Sequence, residues 1–174
     1  TGRDCLAGRD AAPLLSIPDA RLNILARPTI STSTDEATAR MRYGISSIPD
    51  VEAAIHIALS DSPEISFDLT LENKGTRPAT LGFAGPNIGP VCLGRDLADN
   101  YYLLPKRGSI FHNAQASYRE RYCGHDMPLQ FMSVANPGDG EGLYMLTEDT
   151  TDIWRSYCLR KDDRGLDLGL EYPS

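Results

Sequence analysis

The sequence predicts an all-β fold, an antiparallel β-sandwich of short strands with little helix, and three observations carry that expectation. Ile65, Phe67, Leu69 and Leu71 alternate with Ser66, Asp68 and Thr70, a period of two that gives a strand one apolar and one polar face. The same alternation recurs at Ala39, Met41, Tyr43 and Ile45, and again at Val51, Ala53, Ile55, Ile57 and Leu59. Between and beyond these runs, Gly, Pro, Asn and Asp gather at intervals that suit turns, and almost no stretch repeats with a helical period.

Taken in order, residues 1–12 are polar and glycine-rich, as a loosely held end is. Pro13–Ile17 and Leu22–Ala26 read as short strands cut by Pro18 and Pro28. Ser33 and Glu36 have the spacing of a helix capping box. The alternation from Ala39 to Ile45 is longer than that signal and favours a strand. Asp61-Ser62-Pro63 then joins 51–59 to 65–71 as an antiparallel hairpin, with Ile55, Ile57, Phe67, Leu69 and Leu71 expected inward and His56, Asp68 and Thr70 outward. Asn73-Lys74-Gly75 supplies a turn, after which Ala79–Phe83 is expected to return as a strand.

Gly85-Pro86 and Gly89-Pro90 read as turns before the short apolar Val91–Leu93. Tyr101–Leu104 is a strand, 112–128 a long polar connection, and Leu129–Val134 another short apolar segment. Asn136-Pro137-Gly138-Asp139-Gly140 is the clearest turn in the chain. Gly142–Thr147, Trp154–Leu159 and Leu166–Tyr172 complete a meander, with turns at Glu148–Asp152 and Lys161–Gly165. At 174 residues the expectation is a single domain over 1–174, large enough to bury a core without metals or disulfides.

Acids outnumber bases 24 to 17, for a net charge of −7. A nucleic-acid ligand needs a Lys/Arg field, and an anionic membrane surface is disfavoured for the same reason. No apolar run approaches the roughly 20 residues of a spanning helix. The expectation is a soluble protein whose compartment stays open, and the opening Thr1 reads as the start of a trimmed or excised chain. Cys5, Cys92, Cys123 and Cys158 are far apart and form no CxxC pair. Three disulfide pairings are possible, and the plainer reading is free buried thiols, because Cys92 and Cys158 lie in apolar strand-like segments.

Signals for chemistry are sparse. His56 falls on the polar row of its strand, whereas His112 and His125 flank the 112–128 connection with Arg119, Glu120 and Asp126. A histidine pair beside a carboxylate suits general acid–base work on a sugar hydroxyl, and ordinary loop hydrogen bonding is the simpler account. Metal ligation by His112, His125 and Asp126 lacks compact spacing, there is no GxSxG elbow, and the glycines near 85–89 lack the GxGxxG spacing that cradles phosphate. No cofactor is expected. Thr147, Glu148, Asp149, Thr150, Thr151 and Asp152 form an oxygen-rich loop beside the single tryptophan, Trp154. Aromatic and carboxylate side by side suit a sugar ring, although a hairpin turn with an inward Trp154 accounts for the same residues, and calcium would need a different spacing.

ENKGTRPATLGF, VCLGRDLADNYYLLPKRG and PLQFMSVANPGDGEGLYMLTEDTT, in that order, resemble the N-terminal β-sandwich of a group of bacterial glycoside hydrolases. In those proteins a galactose-mutarotase-like supersandwich precedes a catalytic (β/α)₈ barrel. The resemblance covers roughly 50–172, and GLYMLTEDTT followed by Trp154 carries most of it. It implies a non-catalytic domain of a carbohydrate-active enzyme, partnered by carbohydrate or by the barrel of its own parent chain. The catalytic carboxylates belong to the barrel, for which about 250 residues are needed, so no catalytic residue is assigned. The site residues expected to face sugar are Trp154, Glu148, Asp149, Thr147 and His112. A free-standing sugar mutarotase or epimerase using His112 and His125, and a scaffold sandwich without a ligand, are the alternatives.

Overall fold

The computed structural model describes residues 13–17, 20–25, 29–33, 36–122, 127–148 and 153–173. Strands make up 61% of the described residues and helix 2%, in three antiparallel sheets, so the all-β expectation holds. The backbone gathers into two compact units, Ile17–Leu81 and a second formed by Thr1–Ser16 with Gly82–Ser174.

The Ile17–Leu81 unit holds β1 (Leu22–Ile24), β2 (Thr29–Thr32), β3 (Glu36–Ile45), β4 (Ile48–Ser60) and β5 (Ile65–Asn73). Its sheet runs β1-β3-β4-β5, and β2 also pairs with β3. Register places Met41, Ile55 and Leu69 in one cross-strand row and Tyr43, Ala53 and Leu71 in the next, so the sequence alternation does become one apolar face. Burial along that face is uneven. Ile45, Val51, Ala53 and Ile55 are buried, whereas Leu59, Ile65 and Leu71 are exposed. Leu71 therefore does not point into a core as expected, because it lies on the outermost strand of this sheet.

The strand favoured over the Ser33–Glu36 capping box does form: the Ser33 hydroxyl and amide both donate to the Glu36 carbonyl, at 3.1 and 2.7 Å, and close the β2–β3 hairpin. One local reading needs correction. After β5, residues 79–82 form no strand. Asn73 accepts from the Gly75 amide at 2.9 Å and donates to the Arg77 carbonyl at 2.8 Å, while the Lys74 amide bonds the Asp50 carbonyl. That closed loop sends the chain out of the sheet instead of back along it.

The second unit holds β6 (Phe83–Val91), β7 (Tyr101–Leu104), β8 (Ile110–His112), β9 (Ala116–Arg121), β10 (Phe131–Asn136), β11 (Glu141–Leu146), β12 (Ser156–Lys161) and β13 (Leu166–Tyr172). They form two four-stranded sheets, β11-β10-β7-β8 and β6-β13-β12-β9. One buried cluster joins Tyr102, Leu104, Met132, Val134 and Met145 of the first to Tyr157, Leu159, Leu166, Leu168 and Leu170 of the second, which makes this unit a β-sandwich.

The Gly-Pro pairs at 85–86 and 89–90 sit inside β6, with cis peptide bonds, rather than in turns. The first strand of its sheet tolerates prolines because their missing N–H groups break few ladder bonds. Of the expected Pro13–Ile17 strand, only Ser16 pairs, as an isolated bridge to Ala84. The 112–128 connection contains β9, which pairs with β12. β11 and β12 belong to different sheets and so form no hairpin, and the turn expected at Glu148–Asp152 lies outside the described residues apart from Glu148.

Candidate functional site

The crossing from β11 to β12 is the stretch the sequence singled out, and Gln130 organises it from below. The Thr147 amide donates to the Gln130 carbonyl at 3.0 Å, and the Thr147 hydroxyl donates to Gln130 Oε1 at 3.0 Å. The Tyr157 hydroxyl bonds the same Thr147 oxygen, and Arg155 also donates to Gln130 Oε1. Gln130 Nε2 in turn donates to the Tyr122 hydroxyl at 2.8 Å. The Arg155 guanidinium lies 4.8 Å from the centre of the Tyr122 ring, and the Tyr122 amide donates to the Arg155 carbonyl at 2.9 Å. Burial pushes the Tyr157 hydroxyl above the usual tyrosine range, against the opposing pull of Thr147 and Arg155.

Arg155, not Trp154, is the inward residue here. It is fully buried, while Trp154 and Ile153 are each 56% exposed. The inward-Trp alternative is therefore incorrect, because chain alternation into β12 directs Arg155, Tyr157 and Leu159 to the core and leaves Trp154 outside. The Arg121 guanidinium of β9 lies 4.3 Å from the centre of the indole ring. Such a contact fixes the ring by attraction between the cation and the aromatic quadrupole, worth about 0.5–1 kcal/mol at an exposed site.

Thr147 is half-buried and committed to Gln130 and Tyr157, so it anchors the crossing. Glu148 is exposed. Asp149, with Thr150, Thr151 and Asp152, lies outside the described residues. His112 is exposed on β8, and its Nδ1 accepts from the amides of Asn113 and Ala114 at 2.9 and 2.8 Å. That lone pair is engaged in holding a turn. His125 and Asp126 lie outside the described residues, as do Cys5 and Cys123, while Cys92 and Cys158 are each half-buried. Among the described residues, no three His, Cys, Asp or Glu side chains converge to hold a metal.

Five residues of this cluster were not singled out in the sequence: Tyr122, Gln130, Arg121, Arg155 and Tyr157. Only Arg155 carried a readable signal, as a base following the tryptophan at a strand start. No protein-family profile matches the chain, and neither the search of curated proteins nor that of solved structures finds a match.

Proposed function

We propose that this chain is a non-catalytic β-sandwich module of a carbohydrate-active enzyme, of the galactose-mutarotase-like kind that accompanies a glycoside hydrolase barrel, and that it contacts glycan. The observation that carries the reading is the outward Trp154, held by Arg121 and mounted on a crossing that the Gln130 cluster ties to the core. An exposed, oriented indole offers a large, flat apolar face with a polar N–H at its edge. A pyranose ring presents an apolar C–H face that stacks on it, and its hydroxyls can donate to the exposed Glu148 carboxylate.

Neutral oligosaccharides titrated against the intact chain while following indole fluorescence test this directly, since one tryptophan reports one place. The expected result is a saturable shift in emission with at least one glycan, absent in Trp154→Ala. A flat response to every glycan tried, with Trp154 still open to iodide quenching, would remove this site.

A further inference from the structure

The sheet β11-β10-β7-β8 is apolar on both faces. One face supplies Met132, Val134, Met145, Tyr102 and Leu104 to the core. On the other, Tyr144, Ser133, Leu103 and Phe111 form one continuous cross-strand row, with Leu146 opposite Phe131 beside it. Tyr101 of the same face stacks on Phe111, ring centres 5.1 Å apart. Tyr144, Phe111 and Leu146 are 59%, 56% and 53% exposed. The outer face of the companion sheet shows the contrast: there Arg119 pairs with Glu171 and Arg160 with Asp167. No Asp, Glu, Lys or Arg lies on the outer face of β11-β10-β7-β8.

Three properties of this face narrow its occupant. It carries no charge, on a chain of net charge −7, which disfavours nucleic acid despite the exposed rings. Its size is small: four strands spaced about 4.8 Å apart, paired over three to six residues of about 3.4 Å each, make roughly 300 Å². A stable homodimer buries about 800 Å² per partner, so a second copy would need more surface than this face offers. The hydroxyls of Tyr144, Ser133 and Tyr101 form no hydrogen bond to any described residue, so polar groups remain unspent among the rings.

We infer that this face binds an uncharged polysaccharide chain, its sugar rings stacked on Tyr144 and Phe111 and its hydroxyls bonded to Tyr144 and Ser133. A flat, open surface suits a run of a polymer rather than a single sugar, which would need a concave pocket to bury most of its area. The inference rests on the carbohydrate reading above, but assigns the contact to residues other than Trp154.

Affinity electrophoresis of the full chain through gels holding hydroxyethylcellulose, xylan, galactomannan or a β-1,3-glucan tests it, with polygalacturonate and a thymidine oligonucleotide as charged comparisons. Retardation by at least one neutral polymer is expected. Tyr144→Ala should weaken it roughly tenfold, the scale of one lost aromatic stack, and Tyr144→Phe by less. Phe111→Ala should act like Tyr144→Ala. Because Tyr101 leans on Phe111, Tyr144→Ala, which disturbs no ring contact among the described residues, is the deciding variant if Phe111→Ala misfolds. Retardation that survives Tyr144→Ala but vanishes in Trp154→Ala would leave the carbohydrate reading standing and overturn this one. No retardation by any neutral polymer overturns both. Retardation by polygalacturonate or the oligonucleotide alone, or a dimer in sedimentation that Tyr144→Ala dissolves, would also refute this assignment.

Discussion

Cys158 shows how one residue couples packing to pH. It faces outward from β12 between Arg119 and Glu171, and burial followed by the Glu171 carboxylate pushes its thiol from 9.0 up to about 12, against the pull of Arg119. The folded state therefore holds a proton that the unfolded chain releases, so stability is complete below pH 9 and falls as pH rises toward 12. Tyr102, pushed from 10.0 to about 12 first by burial and then by Tyr118, adds a loss of the same sign above pH 10. Lys161 acts the other way, since burial lowers its ammonium below 10.5. The clean readout is thus the difference between two proteins. Urea melts from pH 8 to 11 should show the parent losing up to roughly 1 kcal/mol per pH unit relative to Cys158→Ala. Parallel curves would refute the linkage. The same raised thiol should leave Cys158 unreactive to iodoacetamide at pH 8 in the folded chain, because the thiolate is the nucleophile.

At the scale of elements, single buried polar side chains join strand to loop. Lys161 ends β12 with its ammonium donating to the carbonyls of Leu97, Asn100 and Asn113 at 2.8, 2.6 and 2.8 Å. All three of its N–H donors are used, which is why a buried lysine is tolerated. Lys161→Met keeps the volume but strands three carbonyls, and chemical denaturation should report a loss of about 2–4 kcal/mol. The strands themselves were largely legible, because alternation at 39–45, 51–59 and 65–71 reports directly which residues share a face. Alternation does not report what covers that face, so Ile55 and Leu71 look alike in sequence although one is 5% and the other 38% exposed. Ile55→Ala should cost about 2–4 kcal/mol and Leu71→Ala under about 1 kcal/mol; equal costs would mean that both are buried alike. Alternation also decided correctly against the capping box at Ser33 and Glu36, where a hydroxyl three residues from a partner closes a hairpin as readily as it would cap a helix. The Gln130 cluster was illegible because its members, Tyr122, Gln130, Thr147, Arg155 and Tyr157, meet only through the sandwich.

Across the whole molecule, the two units differ in how much apolar surface each removes from water. The sandwich unit contains a buried cluster of thirteen residues, whereas the Ile17–Leu81 sheet has Ile30 and Ile24 at 73% and 68% exposed, beside Leu59 and Ile65. Hydrophobic burial at about 25 cal/mol per Å² is the main term that resists opening, so local stability should follow that difference. Backbone amides on β12 and β13 lie beneath Tyr157, Leu159, Leu168 and Leu170, all nearly inaccessible, and each strand is paired on both sides. Amides on β1 and β2 belong to strands of three and four residues with no buried side chain. Hydrogen–deuterium exchange followed by mass spectrometry should therefore find peptides from β12 and β13 exchanging last. Peptides from β1 and β2 should exchange first, and β4 should fall between, protected at its Val51–Ile55 end and open toward Ser60. If peptides from Ile17–Leu81 exchanged as slowly as β12 and β13, the exposed apolar row on that sheet would have to be covered in solution, and the two units would unfold as one.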